Sequence, residues 1–202
     1  MAKIQGGATM TPRFSDFLPP WVALQPWYRG SGVPVLAPVG FFRFEDPAGE
    51  VGLETHLLTD GETVYQIPMT YRGAPAREIG ENALIATAEH GVLGRRWIYD
   101  GQADPLWHDR VLHLVRTGGA SDPSGRGTAR FAEARGEART SDPLTPDVAR
   151  VRLLRVLTPG PPPSGPDVAG VVLGTWNPPG GAAPATGCLA VVEPTALPDP
   201  AA

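Results

Sequence analysis

The residue types in this chain that are best suited to chemistry begin with an adjacent pair, Glu89 and His90. A carboxylate and an imidazole can support acid–base catalysis when both groups face one substrate. Neighbouring side chains of a strand point to opposite faces of the sheet, so these two cannot serve one site without a bulge. We therefore expect His90 to be a turn residue that bonds to the backbone.

The next segment along the chain holds Arg95, Arg96, Trp97 and Asp100. An arginine–aspartate pair stacked on Trp97 would lock the turn before a strand, which is the structural interpretation. The alternative is a surface that grips a partner, because Trp, Tyr and Arg carry much of the binding energy at protein interfaces. Residues of these types and their polar neighbours form a candidate interaction surface, namely Trp27, Tyr28, Arg29, Tyr71, Arg72, His90, Arg95, Arg96, Trp97 and Asp100.

A metal site is not expected. Glu54 and His56 share a strand face and Glu45 precedes them, but no second His or Cys cluster has the spacing of zinc ligands. His108 and His113 are five residues apart on a predicted helix, whereas side chains that meet on a helix are three or four apart. The Gly-x-Ser-x-Gly motif of a nucleophilic serine does not occur. We predict no catalytic, metal-binding or cofactor-binding residue, and no cofactor.

Composition and charge exclude several classes of partner. The formal net charge is −4, so no basic field exists to hold nucleic acid or an anionic membrane. No apolar run approaches the roughly 18 residues of a membrane span, and no signal peptide opens the chain. We therefore expect a cytoplasmic protein. The single cysteine, Cys188, excludes an internal disulfide, and its apolar neighbours are typical of a buried thiol.

Strands are the main elements that would position these residues. Period-two alternation and turn residues predict strands at 39–45, 51–59, 63–71, 83–88, 96–99, 148–157, 169–176 and 187–192. Asp60 and Gly61, between the second and third of these, are a strong hairpin signal. Segment 128–139 alternates alanine with charged residues and suits either a strand or a poorly ordered helix.

One helix is predicted between the strands. Asp104 is suited to the N-cap and Pro105 to the first helical position, while Gly118 and Gly119 end the helix. Its apolar side chains recur at helical spacing on one face, which should lie across the sheet.

The apolar segment 14–18 is followed by Pro19 and Pro20, so we expect at most one helical turn there. Strands thus dominate and are locally connected. The pattern favours an α+β fold, in which an antiparallel sheet carries one main helix and is followed by C-terminal β-strands.

Three segments of the first half resemble a known family. They are Gln-Pro-Trp-Tyr-Arg-Gly at 25–30, Tyr-Gln-Ile-Pro and Tyr-Arg-Gly-Ala-Pro within 65–75, and Glu-His-Gly-Val-Leu-Gly-Arg-Arg-Trp-Ile-Tyr-Asp-Gly at 89–101. Their order and spacing resemble the N-terminal cap domain of bacterial maltokinases, which phosphorylate maltose on the route from trehalose to α-glucan. The resemblance spans roughly residues 14–115. It implies a cystatin-like cap, a helix against an antiparallel sheet, that packs on the nucleotide lobe in those kinases.

The kinase lobes of that family have no counterpart in the sequence. Lys3 is the only lysine and lacks the strand and glycine loop that a phosphate-binding lysine needs. No His-x-Asp has a matching asparagine downstream, since the only asparagines are Asn82 and Asn177. We therefore expect a stand-alone cap-like protein. Its predicted divisions are a flexible lead-in at 1–12, a cap-like domain at 13–118, a connector at 119–147, a C-terminal β extension at 148–193 and a disordered tail at 194–202.

These observations lead to two main hypotheses. The first is a non-catalytic interaction or regulatory protein linked to trehalose, maltose and α-glucan metabolism. Its partner would be a maltokinase-like kinase, a glucan-metabolism enzyme or a second copy of the chain, but neither nucleic acid nor a membrane. The alternative is a small-molecule or carbohydrate-binding module, in which aromatic rings stack on the ligand. An enzyme of another type ranks last.

Overall fold

Two antiparallel β-sheets organise the chain, which a computed structural model describes at residues 9–123, 130–178 and 183–195. Within these residues the helices are α1 (Phe14–Ala23) and α2 (Pro105–Thr117), with single 3-10 turns at Glu81–Ala83 and Gly101–Ala103. The strands are β1 (Met10–Thr11), β2 (Ala37–Phe44), β3 (Gly52–Thr59), β4 (Val64–Arg72), β5 (Leu84–His90), β6 (Gly94–Asp100), β7 (Asp122–Pro123), β8 (Ala132–Ala138), β9 (Ala149–Leu153), β10 (Val156–Leu157), β11 (Gly170–Trp176) and β12 (Ala185–Pro194).

The first sheet has the strand order β1-β5-β6-β4-β3-β2-β7, and β10 pairs with β4. The hairpin predicted at Asp60 and Gly61 joins β3 to β4. Asp60 Oδ1 accepts hydrogen bonds from the backbone N–H groups of Glu62 and Thr63, at 3.1 and 2.8 Å. Gly61 has φ +105°, a conformation that suits glycine. The turn chemistry therefore sets the register of the two central strands.

The second sheet has the order β8-β11-β12-β9. Its first strand, β8, lies in the ambiguous segment 128–139, which also falls within the predicted connector. The predicted single strand at 148–157 is wrong, because the structure divides it into β9 in the second sheet and β10 in the first. The break follows from Arg155, whose side chain turns inward and pairs with Asp100 of the first sheet.

The expectation of at most one helical turn at 14–18 is also wrong, since α1 runs for ten residues through Pro19 and Pro20. These prolines leave the carbonyls of Ser15 and Asp16 without a helical N–H donor. Both residues are exposed, so water can reach those carbonyls. Burial of the apolar face of the helix, Phe17, Leu18 and Val22, offsets the lost hydrogen bonds.

Helix α2 confirms its sequence prediction. Asp104 caps it by accepting a hydrogen bond from Leu106 N at 3.0 Å, and Gly118 closes it in the left-handed conformation. The fold thus has two helices in the described residues where the sequence predicted one main helix. The coarser prediction, an α+β fold with antiparallel sheets, is confirmed.

The first sheet lies in the middle, and strand β4 shows how its two faces differ. Ile67, Met69 and Tyr71 point to the α1 side and join its apolar cluster. The alternate residue Gln66 points to the other side, where Nε2 donates to the carbonyls of Leu154 and Leu189 at 3.0 and 2.9 Å. On that side the side chains of α2 and the second sheet form one continuous core with the first sheet.

Candidate functional site: a cleft between α1 and the first sheet

Helix α1 covers only part of its side of the first sheet, and a cleft of about 750 Å³ remains beside it. The walls come from α1, from residues 34–36 and from strands β2 and β3. Apolar side chains dominate them, chiefly Phe14, Leu18, Val35, Leu36, Phe41 and Leu58. A cavity of this size and make-up, with a few convergent polar groups, is typical of a ligand site.

The polar groups of the cleft meet at the carboxylate of Glu54. Arg43, its direct cross-strand neighbour on β2, places Nε 3.3 Å from Oε1. His56 Nε2 lies 3.4 Å from Oε2, because residues two apart share a strand face. From the neighbouring strand β4, the hydroxyl of Tyr71 donates to Oε2 at 3.3 Å. One carboxylate therefore holds three side chains in place.

Burial and these neighbours act in opposite directions on the pKa of Glu54. Burial raises it, but the hydrogen bond and charge of His56, the charge of Arg43 and the Tyr71 hydroxyl outweigh that effect, so the net pKa is lowered. The pKa of Tyr71 is raised well above its usual range, first by burial and then by the charge of Glu54. Glu54 is therefore an anion at neutral pH, and Tyr71 is a neutral donor.

Aromatic rings and an unpartnered donor complete the cleft floor. The ring of His56 has its centroid 4.7 Å from that of Phe14 and 6.0 Å from that of Phe41. Arg43 Nε is buried without a hydrogen-bond acceptor, since the geometry toward Glu54 is that of an ion pair only. The described residues contain no group of three His, Cys, Asp or Glu side chains that could hold a metal ion.

The predicted surface residues Trp27, Tyr28 and Arg29 lie at another place, around Tyr65. The Trp27 and Tyr28 rings each pack 5.8 Å from the ring of Tyr65, whose hydroxyl accepts a hydrogen bond from Arg29 N at 3.4 Å. The guanidinium of Arg155 lies over the Trp27 ring, 5.2 Å from its centroid. Trp27 and Tyr28 are half-buried, while the Arg29 side chain is exposed.

The suggested arginine–aspartate pair on Trp97 does not form. Asp100 instead pairs with the buried Arg155, which also bonds to Gln102 Oε1 at 3.0 Å. Trp97 packs beside Tyr99 in a separate small cluster. The pairing partner lies 55 residues downstream, so local sequence gave no signal for it. The ion pair between Arg155 and Asp100 links the break between β9 and β10 to the first sheet.

The remaining predicted residues have structural contacts. His90 Nδ1 accepts hydrogen bonds from the backbone N–H groups of Val92 and Leu93, both at 3.2 Å, which confirms the predicted turn role. Arg95 pairs with Glu89 at 2.9 Å on the surface.

Arg96 and Arg72 also bond within the fold. Arg96 Nη2 donates to the carbonyl of Leu93 at 2.7 Å. Arg72 grips both carboxylate oxygens of Asp104 at 2.9 and 2.8 Å, which ties β4 to the start of α2. Of the ten predicted surface residues, only Tyr71 contacts the polar floor of the cleft.

Cys188 is buried, as predicted, and burial raises the pKa of its thiol. In the part of the chain that the structure describes, neither helix is long and apolar enough to cross a membrane.

The fold and cleft define an α+β protein with a central antiparallel sheet and an open apolar site on one side. Residues 21–104 match the family model described as the maltokinase N-terminal cap domain, which confirms the resemblance seen in the sequence. The match includes the end of α1, strands β2 to β6 and the floor of the cleft, and it stops at the N-cap of α2. Curated proteins and solved structures gave no match.

Proposed function

We propose that this chain is a non-catalytic interaction or regulatory protein that docks on an enzyme of trehalose, maltose or α-glucan metabolism. The observation that carries the proposal is a set of exposed aliphatic side chains within the matched cap segment. Leu24, Val33 and Val35 are 83%, 64% and 89% exposed, and all lie between α1 and β2. Large aliphatic side chains that are exposed this close together in the sequence are candidates for an interaction surface. We name residues 24–35 the docking loop.

The first half of the docking loop, residues 24–29, is held in place by hydrogen bonds before any partner binds. Gln25 Nε2 donates to the Trp21 carbonyl at 3.1 Å, and Gln25 N donates to the Val22 carbonyl at 3.0 Å. Further along, Arg29 N donates to the Tyr65 hydroxyl. An anchored loop loses little conformational entropy on binding, so its apolar side chains can contribute most of their burial energy.

The resemblance supplies the partner class. In maltokinases the cap packs on the nucleotide lobe, so we take residues 21–104 to be a cystatin-like cap that docks in a similar way. A maltokinase-like kinase is the first candidate partner, then a glucan-metabolism enzyme, then a second copy of the chain. The compartment would be the cytoplasm, and neither nucleic acid nor a membrane would be a partner.

The chain itself would have no kinase activity, because its sequence carries no phosphate-binding lysine in a glycine-loop context. Purified protein with ATP, magnesium and maltose should release no ADP above background. Maltose-dependent ADP release that survives repurification would refute the non-catalytic assignment.

Direct titration against a purified maltokinase-like kinase tests the docking. We expect saturable binding by calorimetry, and at least tenfold weaker binding for the double variant Leu24→Ser/Val33→Ser, since interface anchors dominate affinity. The matched control is Val92→Ser/Leu93→Ser, which removes the exposed aliphatic pair at the β5–β6 turn. Val35 is left intact because it also lines the cleft. Equal losses in both double variants would refute the docking loop.

A second candidate function, small-molecule binding, is favoured by the cleft. If the ligand were a carbohydrate, we would expect tryptophan rings that stack on the sugar. Among the described residues, the apolar lining of the cleft consists of phenylalanine, proline and aliphatic side chains and includes no tryptophan. The cleft therefore favours a more apolar ligand than a sugar.

A further inference from the structure

The cleft beside α1 combines apolar walls with a few polar groups, and the proposed docking does not involve these polar groups. Its apolar walls enclose about 750 Å³, enough for a ligand of ten to twenty heavy atoms together with water. Its polar groups are confined to the strand floor and the rim. Such a division between an apolar body and a polar end fits an amphipathic molecule.

Arg43 is the group on the floor with unused donors. A guanidinium carries five N–H donors. Arg43 places Nε 3.3 Å from Glu54 Oε1 as an ion pair, and within the described ranges this buried Nε has no hydrogen-bond acceptor. A buried donor without an acceptor is costly, so an acceptor brought by a ligand would be held strongly.

The charge around the cleft indicates the sign of that acceptor. Glu54 already contacts Arg43, His56 and Tyr71, so a ligand cation would have to compete with Arg43 for this carboxylate. The unused donors of the floor belong to the cationic guanidinium of Arg43, so an anionic acceptor would gain a charge-assisted hydrogen bond there. Arginine forks pair readily with a carboxylate.

We propose that this cleft binds a small apolar carboxylate, with its carboxylate on Arg43 and its hydrocarbon body between Phe14, Leu18, Phe41 and Leu58. The hydrocarbon chain shields the apolar walls of the cleft from water. The carboxylate accepts hydrogen bonds from the guanidinium N–H groups of Arg43. The cleft shares Pro34 and Val35 with the docking loop, but Arg43 lies outside that loop, so the docking and ligand proposals are tested by different variants and either can fail without the other.

Calorimetric titration of the full chain with decanoate tests the proposal, with 1-decanol as a neutral probe of equal chain length. We expect saturable one-to-one binding of decanoate and at least tenfold weaker binding of decanol. Arg43→Gln should weaken decanoate binding tenfold or more, because it keeps a polar side chain but removes the positive charge and most of the N–H donors. Arg95→Gln, at the exposed pair with Glu89, is the matched control and should change affinity less than twofold.

A second variant keeps the test decisive if Arg43→Gln fails to fold. Ser15 is an exposed residue at the cleft wall, so Ser15→Trp should fill the mouth and abolish decanoate binding, while Ser15→Ala should not. Absence of saturable decanoate binding would overturn the proposal. Equal binding of decanol would overturn it, and so would full affinity in Ser15→Trp.

Discussion

The two faces of the first sheet are covered in different ways. On one face, α2 and the whole second sheet form a continuous core with side chains such as Phe42, Leu57 and Trp107. On the other face, a single ten-residue helix packs against the sheet and leaves a cleft beside it. Helix α2 and the second sheet together bury their face of the first sheet, whereas the short helix α1 leaves part of the strand surface exposed on the other face. From this difference we expect ligands or partners to bind on the α1 side and most of the folding stability to come from the α2 side.

Adjacent residues of β3 allow the largest direct test of this contrast. Leu57 faces the sealed core and is fully buried, while Leu58 faces the cleft side and is 6% exposed. We expect Leu57→Ala to lower the free energy of unfolding by about 4 kcal/mol and Leu58→Ala by about 2 kcal/mol, because a sealed core cannot relax around the lost atoms. Urea denaturation of both variants measures the difference. Equal losses would mean that the two faces are packed alike.

The link between the sheet and α2 should be the next most sensitive. Asp104 is fully buried and bonds to Arg72, whose side chain is 22% exposed. We expect Arg72→Met to cost about 3 kcal/mol of unfolding free energy, because it leaves a buried carboxylate without its charge partner. Glu89→Gln, which breaks an exposed pair, should cost less than 1 kcal/mol and serves as the control. A cost below 1 kcal/mol for Arg72→Met would show that Asp104 needs only its helix-cap bond.

The cleft floor should give a smaller, pH-dependent effect. The folded-state pKa of Glu54 is lowered, so its stabilising contribution is present above the unfolded value near 4.5 and is lost as pH falls through the folded value. We expect Glu54→Gln to cost about 1.5–2 kcal/mol at pH 7, the lower end of the range of hydrogen bonds to a charged group. The gap to wild type should close below pH 4.5. A gap that stays constant down to pH 2 would show that the charge of Glu54 does not stabilise the fold.

Local chemistry made much of the fold predictable. Asp60 and Gly61 predicted the central hairpin, and Asp104, Pro105 and Gly118 predicted the ends of α2. The failures share a cause, since both depended on distant partners. Helix α1 continues through two prolines because its apolar face packs on strands far along the chain. The predicted strand at 148–157 breaks because Arg155 pairs with Asp100.

The candidate site was less predictable than the fold. Alternation showed that Glu54 and His56 share a strand face, which was the one local signal for the cleft floor. Nothing in the sequence indicated that Arg43 would lie across from Glu54, because that contact depends on the register of β2 against β3. The cleft itself depends on how far α1 extends. With only one helical turn at residues 14–18, as the sequence predicted, the cleft would lack the wall that α1 provides.

Hydrogen–deuterium exchange of the chain with and without a purified maltokinase-like kinase tests the central claim most directly. The account predicts slower exchange in the complex at α1 and the docking loop, together with unchanged exchange in β8, β9, β11 and β12. Protection confined to the second sheet, or no protection at saturating kinase, would contradict the assignment of the α1 side as the binding face.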